Sequence, residues 1–245
     1  TSSGCDWSSD VCSSDLGLTV VLADGRIIET GSRSRKSAAG YDLTHLMCGS
    51  EGTLGVITEL SVRCFGRPLA QSAAVCSFLT LAGAVDTVIE TIQCGIPVAR
   101  VELLDDVQMN AVNRYSNLSY PEQSTLFLEF DGTEQSVAEQ SHWVAALAAE
   151  HGGDDFVWST LPEEKTRLWQ ARHDAYHAAR AMRPGCEGWV TDVCVPISTL
   201  TECIVATRAD VDREGMLAPI VGHVGDGNFH VLLLVDPRSE SEKAT

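Results

Sequence analysis

Two histidines, His223 and His230, flank an Asp-Gly pair in the run GHVGDGNFH, residues 222–230. Apolar, strand-like runs lie on both sides, Ala218 to Val221 and Val231 to Val235. Asp-Gly between such runs predicts a β-hairpin, because a two-residue type I′ turn needs φ > 0 at both central residues. With Asp226 and Gly227 as the turn, Gly225 pairs with Asn228, Val224 with Phe229, and His223 lies opposite His230. Cross-strand partners point to one face with Cβ atoms about 4.5–5.5 Å apart. Two imidazoles held that way can grip one metal ion. The bland alternative is a hairpin with two incidental histidines, and the pairing geometry favours the metal.

A second group, Gly49-Ser50-Glu51-Gly52-Thr53-Leu54-Gly55, has three glycines at three-residue spacing. Glycines let backbone approach a ligand closely, and free amides can meet a phosphate or a ring edge. Many strand-entry turns look similar. The dinucleotide fingerprint of the Rossmann fold is excluded, since it needs another spacing and a preceding strand.

The elements that must position these groups follow from the pattern of the chain. Its 245 residues suit one large or two small domains with a real core. Lys and Arg number 17 against 34 Asp and Glu, a net charge of −17, which repels nucleic acid and anionic membrane surfaces. An anionic substrate would then need a specific local cation. No apolar run approaches the roughly 18 residues of a membrane span. Nine cysteines at irregular spacing, with no C-x-x-C pair, read as free thiols of a reducing compartment. Residues 1–16, TSSGCDWSSDVCSSDL, form a near-repeat unlike a signal peptide and are set aside as an artefactual or disordered leader.

Leu18 to Glu29 reads as a hairpin with an Asp-Gly turn, Asp42 to Met47 as a short helix capped by Asp42, and Val56 to Arg63 as a strand. After Pro68, strands and helices alternate. Strands are expected at Ala73–Thr80, Val98–Leu104, Ser124–Phe130 and Gly188–Val195. Helices are expected at Ala82–Gln93, Asp105–Tyr115, Thr133–Glu150, Pro162–Met182 and, capped by Ser198, Ser198–Arg213. This order argues an α+β domain with an antiparallel sheet carrying helices.

With its flanks, the glycine segment becomes specific. The run GYDLTHLMCGSEGTLGVITE resembles the end of the FAD-binding domain of FAD-linked oxidases, which share the vanillyl-alcohol-oxidase (PCMH-type) fold. GHVGDGNFH resembles the metal motif in the substrate domain of that family. LWQARHDAYHAARAMRPGCEGWVTDVCVP is most similar to the cytochrome-linked D-lactate dehydrogenases within it. The resemblance covers about Gly17 to Pro237. It implies the C-terminal piece of a FAD-binding domain over residues 17–66 and an antiparallel-sheet substrate (cap) domain with helices over 67–245.

The resemblance also implies site residues. Gly49, Ser50, Glu51, Gly52, Thr53, Leu54, Gly55 and Ile57 would line the flavin of FAD, and Asn228 would approach it from the other domain. His223 and His230 would ligate a divalent ion, zinc or manganese. Arg172 would clamp the carboxylate of a 2-hydroxy acid, for which a planar fork is well suited; without the family it reads as an exposed helix arginine. Thr191 and Asp192 read as supporting residues. The implied reaction is oxidation of a D-2-hydroxy acid, D-lactate foremost, to the 2-oxo acid. The flavin takes the hydride, and electrons pass to a separate acceptor (a cytochrome, a quinone or an electron-transfer flavoprotein).

Family members carry a glycine-rich pyrophosphate-binding half before the position of Gly17. After the hairpin they carry a Glu-His-Gly segment that supplies the third metal ligand and the base. Both lie outside this sequence, so the 245 residues alone are expected neither to hold FAD firmly nor to turn over. Val190 stands where the 2-hydroxyglutarate branch has lysine, which argues against a dicarboxylate. The alternative from another class is a non-catalytic flavin-domain subunit of a glycolate-oxidase-like complex. Acid-rich composition leans toward a bacterial cytoplasm, with a mitochondrion as the eukaryotic option. Trp143, Trp158, Trp169 and Trp189 read as core or interface packing. His142, His151, His173 and His177 read as surface groups, and Arg33, Arg35 and Lys36 as a solvated loop.

Overall fold

The computed structural model of the chain describes residues 15–34 and 39–244, so most of the leader, with Arg35 and Lys36, lies outside the described residues. The chain divides into two units, Thr1–Arg67 and Pro68–Thr245. In the first, β1 (Asp15–Leu22), β2 (Ile27–Gly31) and β3 (Gly55–Val62) form an antiparallel sheet in the order β2-β1-β3. β1 begins inside the segment set aside as a leader, since Asp15 already pairs with Val62. Helix α1 (Leu43–Met47) starts at Asp42, whose side chain accepts from the His45 amide. Leu18, Val20 and Met47 form the small core.

The second unit holds an antiparallel sheet of β4 (Ala70–Phe78), β5 (Arg100–Leu104), β6 (Ser124–Gly132), β7 (Gly153–Ser159), β8 (Glu187–Val190), β9 (Val193–Cys194), β10 (Ile220–Gly222) and β11 (Asn228–Val235). The strand order is β7-β4-β6-β5-β10-β11-β8, with β9 also on β11. Its helices are α2 (Leu81–Gln93), α3 (Asp106–Ser116), α4 (Glu134–Glu150), α5 (Pro162–His173), α6 (Ala175–Met182), α7 (Leu200–Arg213) and the short α8 (Glu240–Ala244). Alternation along β6 shows how the layers divide. Leu126, Leu128 and Phe130 pack in one cluster with residues of α2, α4 and α7, while Phe127 packs in another with residues of α3, α5 and α6. Apolar side chains on both pleats are what a sheet covered on two faces requires. The architecture is the expected α+β class.

Some elements differ from expectation. β7 is an edge strand opened by Asp154 and Asp155, and its polarity hid it. The helix expected over 162–182 breaks at Asp174, which stands between α5 and α6. Its carboxylate accepts from Ser116 Oγ on α3 at 2.6 Å and from Gln170 Nε2 at 2.9 Å. The strand expected over 188–195 is interrupted at Thr191 and Asp192. Ser198 caps nothing; it lies in a 3-10 turn, Ile197–Thr199, ahead of α7. Trp169 is buried, but Trp143 and Trp189 are exposed. No helix among the described residues is long and apolar enough to cross a membrane.

Asp105 joins β5 to α3 and is fully buried. It caps α3 by accepting from the Gln108 amide at 2.7 Å, and Arg208 Nη1 reaches it at 3.2 Å. Burial outweighs both partners and pushes its carboxyl up to about 7. The folded state therefore holds this proton more tightly than the unfolded chain. The stability it confers is present in acid and declines as pH rises from the unfolded carboxylate range through 7, at up to about 1.4 kcal/mol per pH unit. Asp105→Asn keeps a capping oxygen and is expected to remove that slope. Urea unfolding of both proteins from pH 4.5 to 8 checks this, and parallel pH profiles would refute it.

Candidate functional site

The histidine hairpin is wider than a two-residue turn. Ile220 pairs with Val231 and Val221 with His230. Between the strands a 3-10 turn, Val224–Asp226, is closed by bonds from Asp226 N to His223 O and from Gly227 N to Val224 O. Only Gly227 of the Asp-Gly pair has a left-handed φ, +77°, so the turn is not type I′. Glycine is required there twice over, because a Cβ would also sit 2.3 Å from the Val195 carbonyl oxygen. His223 consequently lies level with Asn228 rather than opposite His230. The slip is two residues, and an even slip leaves both side chains on the same face. The imidazole centroids are 5.8 Å apart and the rings nearly perpendicular.

Beside the hairpin, β5 offers Glu102 from the same face of the sheet. Glu102 is almost fully buried. Its Oε1 lies 2.8 Å from His223 Nδ1, and its Oε2 accepts from Arg172 Nε at 3.0 Å. Arg172 comes from the last turn of α5, one turn after the buried Trp169. Its Nη2 stands 3.4 Å from His223 Nε2. Arg100, stacked over the Trp169 ring at 4.6 Å, brings a second guanidinium to 3.6 Å from Oε1. Burial alone would raise the Glu102 carboxyl. The His223 hydrogen bond and the Arg172 charge outweigh it, so the group lies below the usual range and is ionised. A carboxylate at Nδ1 favours the form of His223 with its proton there and its lone pair on Nε2.

His230 is held in a comparable way. Its Nδ1 lies 3.0 Å from the Thr191 carbonyl oxygen, which only an N–H can satisfy. Thr191 Oγ1 accepts from the Val231 amide, and Asp192 Oδ1 lies 3.5 Å from His230 Nδ1. The break between β8 and β9 thus serves the histidine. Both imidazoles have an oxygen at Nδ1, the arrangement by which metal-binding histidines are held with Nε2 forward. This chemistry fits two ligands of a borderline divalent ion such as zinc. Among the described residues no third His, Cys, Asp or Glu completes such a site. Asn228 is buried, its Nδ2 fixed on Asp192 Oδ1 at 2.7 Å and Val193 O at 3.1 Å. That leaves its Oδ1 as a buried acceptor with no donor among the described residues.

In the other unit, Gly49 to Gly55 is a loop leading into β3. Gly49, Glu51 and Gly52 all take positive φ, at 77°, 48° and 79°. Space around Gly49 and Gly52 is open, and Leu54 and Ile57 are exposed, so backbone and side chains there are reachable by a planar ring. Sequence reasoning named these residues, both histidines, Arg172 and Asn228. It missed Glu102 and Arg100. The available signal was two charged residues at alternate positions of the otherwise apolar β5.

Residues 67–245 match the family model described as FAD linked oxidases, C-terminal domain. The chain belongs to the FAD-linked oxidases. A Danio rerio protein named probable D-lactate dehydrogenase, mitochondrial, is 52% identical over 230 residues, covering 93% of this chain and 46% of its own length. The Arabidopsis thaliana D-lactate dehydrogenase [cytochrome], mitochondrial, is 46% identical over 228 residues, covering 93% of this chain and 40% of that protein. The chain thus spans less than half the length of these relatives. Among solved structures, 4-ethylphenol oxidase from Gulosibacter chungangensis matches with a TM-score of 0.67 at 15% identity, over 90% of this chain and 51% of that one. That likeness concerns the fold. As a member of the FAD-linked oxidases, the chain carries its four-residue cluster, Glu102, Arg172, His223 and His230, in the family's C-terminal domain.

Proposed function

We propose that the protein containing this chain oxidises a D-2-hydroxy acid, D-lactate foremost, to the 2-oxo acid. The observation that carries this is the convergence of two histidines, each with an oxygen at Nδ1, and a guanidinium on one face of the sheet. Arg172 binds the substrate carboxylate. Its Nε is committed to Glu102 and its Nη2 borders His223 Nε2, so Nη1 is the edge left for a second anion. The arginine supplies the local cation that a chain of net charge −17 otherwise denies an anionic substrate. His223 and His230 would hold a divalent ion through Nε2. Gly49 to Gly55 and Ile57 would meet the flavin, and Asn228 Oδ1 offers an acceptor to a bound N–H or O–H. A bound flavin would supply the hydride acceptor for C2, and a bound ion would acidify the substrate hydroxyl. Oxidation removes one hydride and one proton from the hydroxy acid.

The relatives' names support a mitochondrial setting over a bacterial cytoplasm, and a cytochrome as electron acceptor. The test uses the full-length protein and an artificial electron acceptor. Arg172→Met is expected to raise KM for D-lactate about 10- to 100-fold, the worth of charged hydrogen bonds of about 1.5–3 kcal/mol. Arg172→Lys, which keeps charge without the fork, should fall between. An unchanged KM in Arg172→Met would refute the clamp.

A further inference from the structure

We propose that Glu102 is a positioning residue that sets the tautomer of His223 and the pose of Arg172 together. It rests on the proposed reading only for what those two residues bind. Glu102 touches both: Oε1 meets His223 Nδ1 at 2.8 Å, and Oε2 meets Arg172 Nε at 3.0 Å. Its carbon skeleton leaves from the centre of the sheet, where β5 is paired on both sides, by β6 and by β10. The carboxylate therefore has little freedom of its own. It is the fixed point from which an arginine at the end of α5 and a histidine at the end of β10 take their orientation. Those two residues are 51 positions apart in the chain and approach to 3.4 Å.

The chemistry of the three groups makes the assignment specific. A carboxylate has two acceptor oxygens and no hydrogen, so both neighbours must donate. Arg172 always donates. His223 can do either, and the carboxylate selects the form with the proton on Nδ1 and the lone pair on Nε2. That lone pair is what a metal ion needs, and Arg172 Nη2 already borders it. Glutamine has the same shape but only one acceptor oxygen. Arg172 cannot accept, so the amide must turn its oxygen to Arg172 and its NH₂ to His223. His223 must then accept at Nδ1 and carry its proton on Nε2, where it points at another donor and offers no lone pair. Aspartate restores both acceptors from a shorter stem.

The experiment uses the full-length protein, stripped of metal. Long-range 1H–15N spectra of histidine-labelled samples report the His223 tautomer, and calorimetry with Zn2+ alone reports affinity. The expected result is an Nδ1–H tautomer in the wild type and Nε2–H in Glu102→Gln. Zn2+ should bind about 10- to 100-fold more weakly in Glu102→Gln, as when outer partners of ligating histidines are lost, with partial return in Glu102→Asp. An Nε2–H tautomer in the wild type would overturn the proposal even if Glu102→Gln did not fold. So would an Nδ1–H tautomer persisting in Glu102→Gln. If the tautomer switches but neither protein binds Zn2+, the role of Glu102 stands and the metal reading falls.

Discussion

On the proposed reading, replacing His223 by alanine is expected to strip the full-length protein of a divalent ion and to lower D-lactate turnover by more than about a hundredfold. The magnitude follows from its position. Loss of a partner outside the coordination shell costs roughly 10- to 100-fold in affinity or activity, and loss of a ligand exceeds that. The structural consequence is separable. His223 is one of three groups around Glu102, and its removal leaves Arg172 at 3.0 Å and Arg100 at 3.6 Å to balance the buried carboxylate. The fold should therefore survive, and the melting temperature should change far less than the turnover. Metal content by elemental analysis and turnover with an artificial acceptor provide the check. A His223→Ala protein that kept both its metal and its rate would eliminate the histidine pair as the metal centre.

The histidine pair also shows which parts of the site could be read from the sequence. A wrong turn type still placed both imidazoles on one face, because the error in register was even and side-chain direction along a strand has period two. An odd error would have sent one histidine into the apolar layer with Phe229. The loop geometry of the glycine segment, though not its proposed contact with flavin, was legible because positive φ at Gly49 and Gly52 restricts which residues the loop accepts. Glu102 was not legible. Its importance arises from partners 70 and 121 positions away, brought together by the order β5-β10-β11 and by the seating of α5, none of which local pattern specifies. The break at Asp174 escaped for the same reason, since Ser116 on α3 supplies one of its bonds. The cap read at Asp42 did mark its helix, because capping is a contact within four residues, whereas the one read at Ser198 did not.

Neighbouring positions on β11 are expected to divide stability from chemistry. Phe229 is fully buried in the cluster shared with α2 and α7, whereas His230 turns to the opposite face toward His223. Phe229→Ala removes a ring from a close-packed layer and should cost about 3–5 kcal/mol, the usual range for such truncations. For a unit of this size that corresponds to a fall of roughly 6–20 °C in Tm. His230→Ala loses one hydrogen bond, from Nδ1 to the Thr191 carbonyl, at a partly exposed site. Its stability cost should stay near 1 kcal/mol, while on the proposed reading metal affinity and turnover fall as in His223→Ala. Thermal unfolding and metal content of both variants test the division. A Phe229→Ala protein that melted within about 2 °C of the wild type would show that this layer is not the core. A His230→Ala protein destabilised as much as Phe229→Ala would show that the imidazole is a packing element, and the pleat would then separate nothing.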